Sequence, residues 1–448
     1  MKKKTLRFLS VVMSAVTAFT FAGVAAPATI SAADASVAIN ATNFPDENFR
    51  NALSTYLDRD SNGSLSASEI ACLTSLYVDY SPYYSYNTNS YSYSSDSYGT
   101  YGYMYLYDVQ DVTGIENFTS LTYIMLNSVT NTSIDFTKMA DLNDLSIIYS
   151  GQLTSIDVTG LSNLGYLSVT NCGAFKSLDV STNTNLYSVT CAGNDLFTTF
   201  KNSANNKNLS SVYVYGPSVK SLDLSKLSAL TDVALCDCDL SLDKVGIKNK
   251  NKITSIAIRN NKKSGLVPSQ YKNLGYLEYE SAGLTSIDLS KNKKLYSVSL
   301  KDNSLKSVNV SMLKKLWYLD VSYNKLSKID ISKNKKLSNL NVCNNGISKL
   351  DLSKNKNIFS VEAMSNPLIT KLDFSKCKSL YSFSADKDVK ITLPKDKYTA
   401  SYYDYAKDKY VDKKIKNNTF TADSLGLAGT YNVYINGKKH WLSADFNW

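Results

Sequence analysis

Asp58, Asp60, Asn62, Ser64 and Glu69 put oxygen donors at positions one, three, five, seven and twelve of one stretch, DRDSNGSLSASE. Asp58, Asp60 and Asn62 would each give a side-chain oxygen, Ser64 its backbone carbonyl, and Glu69 both carboxylate oxygens. Such a set suits a hard cation, and Gly63 permits the sharp turn that lets one short loop close around it. No other group in the chain is as complete. Cys236-Asp237-Cys238 is too tight for a zinc pair and has no histidine near it. The one histidine, His440, follows Asn436-Gly437, which reads as a two-residue hairpin turn. A Ser-His-Asp or Cys-His arrangement could draw on that residue alone. Paired carboxylates are too common in so polar a chain to signal glycosidase chemistry, and no phosphate-binding glycine loop is present. The residues point to binding and away from catalysis.

Helices must hold such a loop. Pro45-Asp46-Glu47 opens one, with Phe49, Leu53 and Tyr56 on a single face, and Ser66 to Thr74 forms the other. Loop and flanks together resemble an EF-hand, which implies calcium in a structural, bracing role. They also resemble half of a dockerin, although dockerins carry two such loops and this chain has one.

The rest of the chain is ruled by repetition. Leu284–Ser304, Leu305–Lys325, Leu326–Gly346 and Ile347–Pro367 share a period of 21 residues. A fixed period in that range marks a solenoid. Each unit holds two copies of L-x-x-L-x-L-x-x-N: Leu316, Leu319, Val321 and Asn324, then Leu326, Ile329, Ile331 and Asn334. The alternation inside each copy is strand periodicity with one buried face. Asparagine recurs as Asn303, Asn324, Asn345 and Asn366, with Asp388 in the last copy, where a short amide can satisfy backbone groups at a bend. The pattern resembles the leucine-rich repeat family, in its short bacterial class with a nested, doubled motif. The resemblance implies a β-rich, right-handed leucine-rich repeat solenoid with a parallel sheet and an extended convex side. The segment from Ile39 through the Asp58–Glu69 loop looks like the module that precedes repeats in secreted relatives of that family. The chain then divides into 1–33 (signal peptide), 34–76 (EF-hand-like helical cap), 77–107 (Tyr/Ser-rich insert), 108–389 (repeats) and 390–448 (β cap).

Met1-Lys-Lys-Lys4 and Arg7, then an apolar run to Ala26 and small residues around Ala33, read as a secretory signal peptide. A secreted protein follows, free or held at a cell surface, with no transmembrane anchor after cleavage. Cys172 and Cys238 fall on the Asn position and Cys191 on an inward one, so buried unpaired thiols are expected rather than a disulfide framework. Charge is uneven: residues 35–240 hold 8 basic and 20 acidic side chains, residues 241–448 hold 37 and 18. Many lysines sit in S-K-N-K-K turns (Lys291, Lys293, Lys294, Lys333, Lys335, Lys336, Lys354, Lys356) and should line one edge. They either meet an anionic partner or keep a long solenoid soluble.

Aromatic residues follow the first apolar position of many copies. Tyr123, Tyr166, Tyr187, Tyr276, Tyr296, Trp317, Tyr318, Phe359 and Tyr381 should form a stripe, with Tyr323 close by. Such a stripe suits sugar rings or a partner's apolar patch, unless the rings merely pack on one another. The regular aspartates (Asp157, Asp179, Asp223, Asp288, Asp330, Asp351, Asp373) read as a solvated face. Between Tyr77 and Tyr107 lie twelve tyrosines among small polar residues, either a recognition surface or a low-complexity insert. The expectation is an exported, monomeric, non-catalytic binding or adhesion protein for a glycan-rich or anionic surface ligand. Nucleic acid is not a partner on this reading. One specific protein partner is the alternative, and service beside a catalytic chain is a third.

Overall fold

The computed structural model describes residues 36–79, 90–96, 99–238, 240–261, 265–404, 408–427, 432–437 and 441–447. The predicted signal segment and His440 lie outside them.

Alternating side chains make each copy of the motif a short strand, and every coil stacks that strand beside the previous one in parallel. The parallel sheet runs from Ser75–Asp79 and Tyr123–Asn127 through Tyr276–Glu280 and Tyr318–Asp320 to Ser382–Asp386. The register is constant, so each motif position becomes a straight column along the solenoid. The protein is a leucine-rich repeat solenoid.

Inward positions form one continuous core. Leu316, Leu319, Val321, Leu326 and Ile331 are all buried, and the same set returns in each coil. The side opposite the sheet carries short strands at Ser133–Asp135, Ser155–Asp157, Ser177–Asp179, Thr199–Lys201, Lys371–Asp373 and Lys390–Thr392. Elsewhere it is made of turns and single 3-10 turns. The repeating aspartates cap these turns. Asp288, Asp330 and Asp351 each accept the backbone N–H two residues ahead, at 2.8 to 2.9 Å. Those bonds and the side chains of Ser290, Ser332 (the larger influence on Asp330) and Ser353 hold their carboxyls below the usual range. The aspartate column is thus part of the turns.

Two asparagine columns brace the bends. Asn303, Asn324, Asn345 and Asn366 donate to carbonyls 24 residues back, at 2.7 to 3.0 Å. Cys172 and Cys238 occupy equivalent places and offer their thiols to Ile147 and Val214 carbonyls. Burial raises both thiols to about 11. The column ends differently from the sequence expectation. Asp386, not Asp388, receives the amides of Ser365 and Asn366 at 2.7 and 3.0 Å, while Asp388 is exposed.

Both ends of the sheet are covered. Gly99–Tyr107 pairs in parallel with Ser75–Asp79, and Ser90–Asp96 pairs antiparallel outside it. Met104 and Leu106 point into the core, so this part of the tyrosine tract closes the sheet's first edge. The helix Glu47–Tyr56 sits beside it. Asp46 accepts the N–H of Phe49 at 2.9 Å and also those of Gln110 and Asp111, tying helix to solenoid. Phe44 packs against Phe49 and Phe118. Gly114 lets the chains meet: at φ 99°, a Cβ there would fall 2.3 Å from the Asn43 carbonyl oxygen. At the far end Trp441–Asn447 pairs in parallel with Ser382–Asp386 and continues into antiparallel strands at Asn432–Asn436, Tyr398–Asp404 and Lys409–Ile415. Asn436 is a strand residue opposite Trp441, so the turn there is longer than the two residues Asn436-Gly437.

Candidate binding face

The predicted aromatic stripe is two columns. Tyr276 and Tyr318 are the first residues of their strands and lie half-buried on the sheet face. Tyr296, Trp317, Phe359 and Tyr381 stand one residue before a strand, at the bend, and are 45, 44, 44 and 41% exposed. Backbone bonds fix this second column: Trp317 N–H donates to Tyr296 O at 2.9 Å, and Tyr381 N–H to Phe359 O at 2.8 Å. The Phe359 and Tyr381 rings stack at 4.8 Å and 9°, about one strand spacing. Tyr296 leans back over Gly275, where a Cβ would meet its ring at 2.7 Å.

Tyr323 does not join them. It follows the opposite end of its strand at φ 55°, roughly 15 Å of extended chain from Tyr318, with Lys301 Nζ over its ring. A strand separates two residues that look adjacent in a list of aromatics.

Lysines stand beside the exposed row. Lys293 and Lys294 precede Tyr296, Lys314 and Lys315 precede Trp317, Lys356 precedes Phe359 and Lys378 precedes Tyr381; all are exposed. Aromatic and basic rows therefore run together along one rim.

The sheet face next to that rim has the opposite sign, which reading the sequence missed. Glu278, Asp320, Glu362 and Asp445 occupy one outward column on alternate strands, separated by Ser299, Asn341 and Ser384. Burial raises the Asp320 carboxyl, and burial with the Asp320 charge raises Glu362. Asp445 is pushed up by burial as well. Asp320 accepts the N–H and hydroxyl of Ser322 at 2.8 and 2.6 Å, and Asn341 donates to Glu362 at 2.8 Å. Arg259 is ion-paired with Glu278, which also receives the Tyr276 hydroxyl at 2.7 Å. The signal was available, since these residues fill the polar place inside L-x-L; only the constant register turns them into a column.

The cap loop brings its acidic residues together. One oxygen each from Asp58, Asp60 and Glu69 lies within 4.8 Å of the others. Asp58 is oriented by the amides of Asn62 and Gly63 at 3.1 and 2.9 Å. Glu69 accepts the N–H groups of Arg59 and Ser66 at 2.7 and 2.8 Å. Burial pushes its carboxyl up, but these bonds outweigh it and hold the group below the usual range. Asn62 Oδ1 accepts the Ser64 N–H at 2.8 Å, so that oxygen is engaged within the loop. Ser64–Leu65 pairs antiparallel with Val37–Ala38, which ties the loop to the segment before the first helix. Three converging carboxylates with a positive-φ Gly63 fit a hard cation.

Fold and face together define a leucine-rich repeat solenoid with a patterned surface. No family model and no curated protein matches the chain. Among solved structures it is similar to the functional domain of InlJ from Listeria monocytogenes, which includes a cysteine ladder. Identity is 17%, the match covers 92% of this chain and 99% of that one, and the TM-score is 0.37. Among the described residues no helix is long and apolar enough to cross a membrane.

Proposed function

We propose that this chain is an exported binding protein that docks a glycan-rich or anionic surface polymer along its aromatic and lysine rim. The carrying observation is the exposed row Tyr296, Trp317, Phe359 and Tyr381 beside exposed lysines. Tyr296 with Trp317, and Phe359 with Tyr381, form two pairs of rings on adjacent strands, separated by the coil of Ser338; each pair offers flat faces to sugar rings, and the lysines draw in negative charge. Tyr276 and Tyr318 support the rim from the face, and Tyr323 is left outside the contact. Retention of the mature protein on purified anionic cell-wall polysaccharide tests this. Binding should weaken steeply between low and high salt; no retention at any salt would overturn it.

Calcium belongs to the same proposal as a structural ion. Asp58, Asp60 and Glu69 would hold it, with Asn62 and the Ser64 carbonyl completing the set. The bound ion would neutralise the three carboxylates and stiffen the cap against the first coil.

A single protein partner is the second reading. It is favoured by the acidic column lying beside the basic rim, because a folded partner can present both complementary signs.

A further inference from the structure

Asp144 is the first residue of its strand, directly opposite Tyr123 on one neighbour and Tyr166 on the other. Tyr187, just before the next strand, leans back over Gly165: a Cβ there would lie 2.7 Å from its Cε1 atom. Tyr123 and Tyr166 therefore flank one carboxylate from the neighbouring strands, with Tyr187 close enough to feel its charge, on the amino-terminal half of the sheet face. Below them the next outward column is small, with Ser146, Ser168 and Thr190 in register. The nest is thus floored by small side chains and walled by rings.

The carboxylate is poorly served. Among the described residues no donor hydrogen-bonds to the Asp144 side chain, and burial alone is what pushes its pKa up. Burial and the Asp144 charge in turn push the Tyr123 and Tyr187 phenols up. A half-buried carboxylate without a counter-charge is costly unless something supplies one.

We propose that Asp144, Tyr123, Tyr166 and Tyr187 form a binding site for an alkylammonium group. Ring faces attract a cation through their quadrupoles, and the carboxylate supplies the opposite charge at the centre. An anion would be repelled at this spot, so the site is separate from the lysine rim and does not rest on the rim's ligand. The ammonium can be primary, as on a lysine side chain, or quaternary, as on choline.

NMR titration of the mature protein decides it, following tyrosine ring protons. The probes are choline, Nα-acetyl-lysine methylamide and the uncharged carbon isostere of choline. One or both cations should bind, with the isostere roughly tenfold weaker or more. Asp144→Asn should weaken the cation roughly tenfold while its melting temperature holds or rises. Tyr166→Leu should weaken it as well. Preference for choline identifies a quaternary group, and preference for the lysine analogue a protein side chain. Equal binding of the isostere, unchanged binding by Asp144→Asn, or no shift with either cation would overturn the proposal.

Discussion

The side-chain amide of Asn345 donates to the carbonyl oxygen of Val321, 24 residues earlier, at 3.0 Å. Its own oxygen accepts the buried N–H of Leu326 at 2.9 Å. One side chain thus answers a donor and an acceptor that the bend takes out of the sheet ladder. Replacing it strands both groups in a dry interior. Asn345→Ala should cost about 3 kcal/mol of unfolding free energy, read by urea denaturation, whereas the exposed Lys293→Ala should cost close to none. A loss below about 0.5 kcal/mol would mean that water replaces the amide at that bend.

The period and the L-x-L alternation made the solenoid legible, because stacking amplifies a weak local pattern into a column. Asn324 and Asn345 were legible for the same reason. Their counterpart Asp386 was not, since the last coil meets a cap and not another repeat. The faces were harder. Trp317 and Tyr318 are neighbours in the chain but sit in different columns, one on the rim and one on the face. Tyr323 lies only five positions from Tyr318, yet the strand carries it to the opposite rim. The acidic column needed registry: Asp320 and Glu362 are 42 positions apart in sequence and two strands apart in space. The Asp144 nest depends on Gly165 admitting the Tyr187 ring, a contact no local pattern announces.

Asp320 is 6% exposed, and burial raises its carboxyl above the ordinary value. With the folded pKa above the unfolded one, its stability contribution is intact below the unfolded pKa. It is lost as pH rises through the folded value. Asparagine keeps the acceptor for both Ser322 bonds and removes the charge. Asp320→Asn should therefore stabilise the protein at neutral pH. The gain should vanish below about pH 3, where both forms are neutral. Thermal melts across that range check it, and a lower melting temperature at neutral pH would show that the ionised carboxylate is stabilised in place.

Trp317 separates recognition from packing. Its ring is 44% exposed, and its ring neighbour is Tyr318 at 6.0 Å and 63°. If the rim rings only pack on one another, Trp317→Ala costs stability and leaves retention intact. The rim as a binding surface gives the opposite result. Stability should change by less than about 1 kcal/mol, and affinity for the anionic polysaccharide should fall roughly tenfold. The measurement pairs calorimetry with binding at one salt concentration.

Calcium should act on the cap and, through it, on the first coil. The Asp58, Asp60 and Glu69 oxygens converge within 4.8 Å, so a bound cation would relieve their mutual repulsion in the folded state alone. At a hundredfold excess over Kd the added stability is about 2.7 kcal/mol, seen as a higher melting temperature that a chelator reverses. Asp58 also accepts the amides of Asn62 and Gly63, so Asp58→Ala lowers the metal-free melting point too. The informative quantity is the difference between melts with and without calcium, which Asp58→Ala should abolish. The Asp60 carboxylate accepts the backbone N–H and the side-chain amide of Asn62, so Asp60→Ala should remove most of the calcium shift while disturbing the metal-free protein less. Absence of any shift in the unmutated protein would leave the three carboxylates as a hydrogen-bonded turn, braced by Val37–Ala38 and the Glu69 capping bonds.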